Sequence, residues 1–352
     1  MKNKKIFINN KEISSDVPPY IIGEISANHN GSIENVYKLI DVAKKSGASA
    51  AKIQTYTADT LTVDCRSKDF MIEGGLWGGR SLYDLYNEAS LPWDWHKPIF
   101  NYAEKKDLTI FSSPFDSTAV DLLEDLNAPA YKIASFEAID IPLIKYTAST
   151  KKPMIISTGM TTTDEIEEAV NAALGAGCKD LILLHCVSSY PALSIDYNLK
   201  TILDMQSRYG VMVGLSDHTI DNTTAIASVA LGAVVIEKHI TLSRDGGGPD
   251  DSFSLEPQDL EELCAKSSIA WESLGEANYQ RSQSEMDNQI FRRSIYFMKN
   301  KKSGELIRES DVRVIRPGFG IKPKHLEEII GKKLSHDVEK FTPVSWESID
   351  QN

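Results

Sequence analysis

Apolar residues along this chain alternate between two patterns: short, nearly unbroken β-rich runs, and longer stretches in which they recur at helical spacing. The short runs are Tyr20–Ser26, Ala50–Gln54, Leu108–Ser113, Ala130–Ser135, Pro153–Thr158, Leu181–Cys186, Val211–Ser216 and Ala233–His239. Most follow one another at the length of one βα unit. Between them lie helical signals. Thr163–Val170 carries a threonine cap and early acids, with Ile166 and Val170 on one face. Ser32–Ile40 behaves similarly and runs on to Gly47, a good residue for ending a helix. Unbroken apolar strands alternating with such helices predict a parallel sheet covered on its outer face. Eight units favour a closed (β/α)8 TIM barrel over an open doubly wound sheet. The first βα turn, Ser26–Gly31, lacks the GxGxxG pattern of a dinucleotide site.

Three segments fall outside the repeat. Lys5–Ile13 reads as an N-terminal hairpin around Asn9 and Asn10, expected to plug the N-terminal mouth of the barrel. Residues 55–91 form an inserted loop after the second strand; it holds Trp77, Tyr83 and Tyr86, with Trp93 and Trp95 just beyond. From Gly275 the chain turns polar. The predicted division is therefore a barrel domain over 1–275, a linker over 276–290 and a small β-rich domain over 291–352, with strands at Arg292–Met298 and Val312–Arg316. About 60 residues is small for an independent fold, so the last domain is expected to lean on another surface.

Composition narrows the function. Hydrophobic residues at 41% and charged residues at 25% exclude general disorder. Lys and Arg total 38 against 50 Asp and Glu, a net charge of −12, which disfavours nucleic acid and anionic lipid as partners. A small anionic substrate remains compatible, because a few local cations override the net charge. The longest apolar stretch, Ala225–Ile236, is too short to cross a bilayer. Asn9, Asn10, Lys11 and Glu12 interrupt any secretory h-region behind the basic N-terminus. Cys65, Cys178, Cys186 and Cys264 form no CxxC pair and fit a reducing cytoplasm, the expected location.

In a TIM barrel, chemistry sits at the C-terminal ends of the strands. Polar residues gather at those predicted ends: Glu24, Lys52, Gln54, Ser113, Lys132, Ser135, Ser157, His185, Ser216, Asp217, His218, Glu237, Lys238 and His239. Two strand-end lysines among hydroxyls make a cradle for a phosphate and a carboxylate. The alternatives are pairing with neighbouring acids that seals the barrel, or a Schiff-base nucleophile as in an aldolase. His218 and His239 close the seventh and eighth strands, neighbours in a barrel, so their rings can share a divalent ion. Two histidines without HExxH spacing are, however, more often hydrogen-bonded barrel residues. His29 and His185 are lesser rim candidates, and His96 reads as structural. The run Arg244–Asp250 lets backbone approach a ligand.

These segments carry a resemblance. Gly23–Gly31, Lys52–Tyr56, Tyr131–Ser135, Ser157–Met160, Leu184–Cys186, Gly214–Thr219, Glu237–His239 and Gly248–Asp250, in that order, resemble the sialic acid synthase family. Arg316–Gly318 resembles the signature of its C-terminal antifreeze-like (SAF) domain. The insert, through Gln54–Thr62, Gly74–Trp77 and Pro92–His96, is similar to the pseudaminic acid synthase branch.

The resemblance implies condensation of phosphoenolpyruvate with the open-chain aldehyde of an acetamido sugar, releasing phosphate and giving a nonulosonic acid. For this branch the sugar is 2,4-diacetamido-2,4,6-trideoxy-L-altrose; legionaminic or N-acetylneuraminic acid synthesis is the near alternative, a Schiff-base aldolase the more distant one. A third reading is a non-catalytic sugar- or ice-binding protein. By the same resemblance, Lys52, Ser113, Lys132, Ser135, Ser157 and Ser216 hold phosphoenolpyruvate, and Gln54, Glu137, Tyr190, Asp250 and Arg316 contact the sugar. His218 and His239 hold a divalent metal, typically Mn²⁺, with Mg²⁺ or Co²⁺ as alternatives. Glu24 is the candidate for taking the proton of the water that adds to the oxocarbenium carbon. Trp77, or a neighbouring aromatic, is expected against the apolar surface of the sugar. Arg316 implies a domain-swapped homodimer, reaching from the SAF domain into the partner's barrel. The chain departs from the family at Ser188, where asparagine is common.

Overall fold

A computed structural model describes residues 4–350. The chain divides into two compact units, Met1–Gly275 and Glu276–Asn352. The first is built on β1 (Ile6–Ile8), β2 (Lys11–Ile13), β3 (Tyr20–Glu24), β4 (Ala50–Thr55), β5 (Thr109–Pro114), β6 (Tyr131–Ile133), β7 (Met154–Ser157), β8 (Leu181–Cys186), β9 (Met212–Asp217) and β10 (Val235–His239). Strands β3 to β10 are parallel and close into a barrel in sequence order, β10 pairing with both β9 and β3. All eight runs expected from the sequence are strands of this barrel.

Strand alternation sorts the core into two compartments. Ile21, Ala51, Ile53, Ile110, Ile133, Ile156, Leu183, Val213 and Ile236 face outward into the layer shared with the helices. The interior is filled by Ile22, Ala50, Phe111, Ala130, Ile155, Ile182, Leu184, Met212 and Val235, and Ile6, Ile8 and Ile13 of the β1–β2 hairpin join that cluster. The hairpin therefore plugs the N-terminal mouth, turning at Asn9 and Asn10 with φ of 47° and 65°, a backbone region asparagine tolerates.

The connections follow the sequence signals with one adjustment. Helix α1 (Ile33–Lys45) ends in Gly47 at φ 86°. The helix over Thr163–Gly175 is capped by Thr162, not Thr163, because Thr162 and Glu165 complete a capping box. The insert contributes α2 (Ala58–Leu61) and α3 (Leu82–Ala89). Among the described residues, no helix is long and apolar enough to cross a membrane.

The second unit pairs antiparallel strands β11 (Ser294–Phe297) and β12 (Val312–Ile315) around Ile295, Phe297, Ile307, Ile321, Ile329 and Val344. The segment read as a linker contains a short helix, Gln283–Met286.

Candidate active site

The interior positions change character along the barrel axis. Continuing the alternation from Ile22, Ala50, Ala130 and Val235 toward the strand ends gives Glu24, Lys52, Lys132 and Glu237. These four ionisable groups are buried together. Lys52 pairs with Glu24 and lies 3.8 Å from Glu237, while Lys132 Nζ is 3.0 Å from Glu237 Oε1. Burial pushes the Glu24 carboxyl up, against the pull of Lys52. Burial also penalises Glu237, but Lys132 and Lys52 outweigh it and its pKa is lowered. The lysines thus both pair with acids and stand at the floor of one cavity.

That cavity, about 450 Å³, opens at the C-terminal rim and is lined only by residues of the first unit. Of the expected site residues, it brings together Glu24, Lys52, Gln54, Lys132, Ser135, Glu137, Tyr190, Ser216, His218, His239 and Asp250. Ser113 and Ser157 are fully buried and do not reach its surface. Ser113 accepts a hydrogen bond from Lys52 Nζ at 3.0 Å and so props the ammonium from behind. Ser157 Oγ has no hydrogen-bond partner. Arg316 belongs to the second unit, exposed just past β12.

His218 and His239 meet, their ring centroids 5.4 Å apart. His218 Nδ1 lies 2.8 Å from the Val187 carbonyl, which makes it the protonated nitrogen and leaves the Nε2 lone pair free. His239 Nδ1 is buried without a hydrogen bond, 3.7 Å from Asp250 Oδ2. Burial, then the positive charges of His218, Lys52 and Lys132, hold its pKa well below the ordinary histidine value, so the ring is neutral. Burial works against a charged His218, but Cys186 and the Val187 carbonyl outweigh it and its pKa is raised. A borderline divalent ion completed by water or substrate oxygen would take the place of that proton between His218 and the neutral His239. Among the described residues, no cluster of three or more His, Cys, Asp or Glu side chains is arranged to hold an ion. The donor set here is the histidine pair.

Other histidines lie elsewhere. His29 is held between the Ala89 carbonyl and the Gly31 amide. His185 bonds the Tyr197 carbonyl. His96 bonds Thr55 and is held down to about 4 by burial, a structural role.

Ser26 lines the cavity too, a residue to which the sequence reading gave no role. Ser26, at φ 46°, donates to Asp250 Oδ2 at 2.6 Å and accepts from Gln54 Nε2 at 3.0 Å. It ties two expected sugar contacts together, although its place in the Gly23–Gly31 motif carried no role for it. Ser188 lines the cavity beside Gly159, whose N–H donates to Ser135 Oγ at 3.1 Å. Glu137 has a buried, unpartnered Oε2, and burial raises its pKa to about 7 despite Lys132. Trp77 closes one side. Its indole N–H donates to the Pro249 carbonyl at 2.9 Å and its ring sits 5.5 Å from Tyr190, itself 4.4 Å from His218. Trp93 and Trp95 do not line the cavity; Trp93 bonds the Tyr56 carbonyl and Trp95 packs edge-on to His29.

A TIM barrel whose C-terminal rim gathers two lysines, two imidazoles and several carboxylates around one cavity is an enzyme for small anionic substrates. The chain belongs to the NeuB family, which it matches over residues 39–279, and residues 292–350 match the SAF domain. It is 41% identical over 326 residues to the pseudaminic acid synthase of Campylobacter jejuni, covering 93% of this chain and 95% of the relative. To the pseudaminic acid synthase of Helicobacter pylori it is 38% identical, covering 95% and 99%. The crystal structure of an N-acetylneuraminic acid synthetase from Leptospira borgpetersenii, in complex with citrate, superposes with TM-score 0.72 at 30% identity. That match covers 81% of this chain and 95% of the other. Legionaminic acid synthases are also family members.

Proposed function

We propose that this protein condenses phosphoenolpyruvate with 2,4-diacetamido-2,4,6-trideoxy-L-altrose to give pseudaminic acid and phosphate. The observation that carries the reading is the joining of the Lys52–Lys132 pair and the His218–His239 pair in one cavity. The kinship to pseudaminic acid synthases supports the choice of sugar.

Lys52 and Lys132 neutralise the trianionic phosphoenolpyruvate, a task that a protein of net charge −12 must perform locally. Ser135, Ser216 and Ser188 offer hydrogen bonds around them, with Ser135 oriented by the Gly159 amide. When bound at His218 and His239, a divalent ion such as Mn²⁺, Mg²⁺ or Co²⁺ supplies Lewis-acid polarisation of the sugar aldehyde. The vinyl carbon attacks that aldehyde, and positive charge develops at the neighbouring carbon, toward which Glu24 and Glu237 contribute their field. Glu24, its carboxyl pKa raised by burial, takes the proton of the water that adds there; phosphate then departs by C–O cleavage. Gln54, Glu137, Tyr190 and Asp250 orient the sugar.

The same reading makes the working unit a homodimer in which Arg316 of one protomer serves the other's barrel and binds an acetamido oxygen. Exposed Phe319, Phe341 and Trp346 on the small second unit favour a covering surface of this kind. The unpaired cysteines favour the cytoplasm.

Phosphate release from phosphoenolpyruvate with a panel of acetamido sugars, with and without chelator, tests the proposal. Chelator-sensitive release that is fastest with the diacetamido trideoxy sugar is expected. Release fastest with N-acetylmannosamine would reassign the substrate, and borohydride trapping of a lysine adduct would make the enzyme a Schiff-base aldolase.

A further inference from the structure

The insert does more than lengthen the rim. In α3, Leu82, Leu85, Tyr86 and Ala89 recur at i, i+3, i+4 and i+7, and all four line the cavity. Asp84, Asn87 and Glu88 occupy the exposed side. Such an apolar stripe ordinarily faces a protein core. Here it faces substrate space instead. From the barrel side, Tyr56 and Phe115 line the same cavity, the Tyr56 ring standing edge-on to Phe115 at 5.0 Å and to Tyr86 at 6.1 Å. The helix is fixed in place by its Ser81 cap, and the Trp77–Pro249 hydrogen bond ties the insert to the loop after β10.

We infer that the apolar face of α3, with Tyr56 and Phe115, is an acceptor subsite for methyl-bearing substituents of the sugar, so that the insert selects the substrate. The inference rests on the synthase reading above and goes beyond Trp77. The Leu82, Leu85, Ala89 and Phe115 side chains offer no partner to a hydroxyl, which would forfeit its water contacts on lying against them. A methyl group, from an N-acyl chain or a deoxy carbon, loses nothing there and removes apolar surface from water. Pockets of this type discriminate by about ten- to a hundredfold, not more.

The test compares kcat/KM for 2,4-diacetamido-2,4,6-trideoxy-L-altrose and for N-acetylmannosamine, which carries hydroxyls at carbons 4 and 6. Two variants of the full-length enzyme are used. Leu82→Asn, at a half-buried position, makes the wall polar. Ala89→Leu, at the last residue of α3, narrows the space while keeping a good helix former. Each variant is expected to lower the preference for the diacetamido sugar about tenfold, with the KM for phosphoenolpyruvate unchanged. An unchanged preference in both variants overturns the subsite, as does an equal loss for both sugars accompanied by a raised phosphoenolpyruvate KM. Wild-type enzyme that releases phosphate with neither sugar overturns the synthase reading, and the subsite with it.

Discussion

Lys238 and Asp217 form a buried ion pair at 2.8 Å, and each stands next in sequence to one of the paired histidines. Because side chains alternate along β10, Glu237 and His239 point into the barrel and Lys238 points out. There its ammonium also donates to the carbonyls of Thr219 and Asp221, at 2.7 and 2.8 Å, using all three of its protons. The loop that carries His218 is thereby strapped to the strand that carries His239.

Lys238→Met should cost about 3–5 kcal/mol in urea unfolding, the usual penalty for leaving a buried carboxylate unpaired. The double variant Asp217→Leu/Lys238→Met should recover most of that stability. It should still turn over more slowly, since the strap to Thr219 and Asp221 is gone. Full recovery of turnover would show that the pair does not position the histidines.

His218→Ala and His239→Ala should each slow phosphate release by about a hundredfold or more, as expected where several kcal/mol of electrophilic stabilisation are lost. Circular dichroism and melting temperature should change little. A His218→Ala protein with full activity in chelator would contradict the assignment.

A Cβ at Gly159 would lie 2.1 Å from Ser188 Oγ and 2.8 Å from Ser135 Oγ. Gly159→Ala should therefore displace these hydroxyls and raise the KM for phosphoenolpyruvate about tenfold, the worth of one hydrogen bond to a charged group. An unchanged KM would remove Ser135 and Ser188 from the anion cradle.

Glu137 supplies a pH dependence. Burial raises its pKa from 4.5 to about 7, so the folded protein binds this proton more tightly than the unfolded chain. The contribution to stability is full below pH 4.5 and is lost as pH rises toward 7, with no further change above that. Glu137→Gln should remove that part of the slope, giving a smaller difference between urea midpoints at pH 5 and pH 8 than in the wild type. An identical difference would show that Glu137 titrates normally.

Much of the site was legible before the fold was known. Strand ends announce themselves where charge interrupts an apolar run, and this located Glu24, Lys52, Lys132, His218, Glu237 and His239. Depth was not legible. Ser113 and Ser157 sit on interior-facing positions yet lie beneath the cavity surface, because accessibility depends on what stands above each strand end. Lys238 shares a strand end with His239 but points outward, and His185 bonds a backbone carbonyl away from the cavity. The role of Ser26 was invisible, since it comes from a bend that brings the residue to Asp250, 224 residues away.

By itself, then, the chain's pattern determined the parallel barrel, the hairpin plug and the set of residues able to do chemistry, because alternation and periodicity are properties of neighbouring residues. Only the closed barrel decided which of them meet. Ring closure through the β10–β3 pairing brings Glu237 to Lys52 and Glu24, and packing at the rim leaves His239 Nδ1 buried without a partner beside His218. The closing contact joins Glu237 to Lys52 from opposite ends of the barrel sequence, and no local signal encodes a distance of that kind.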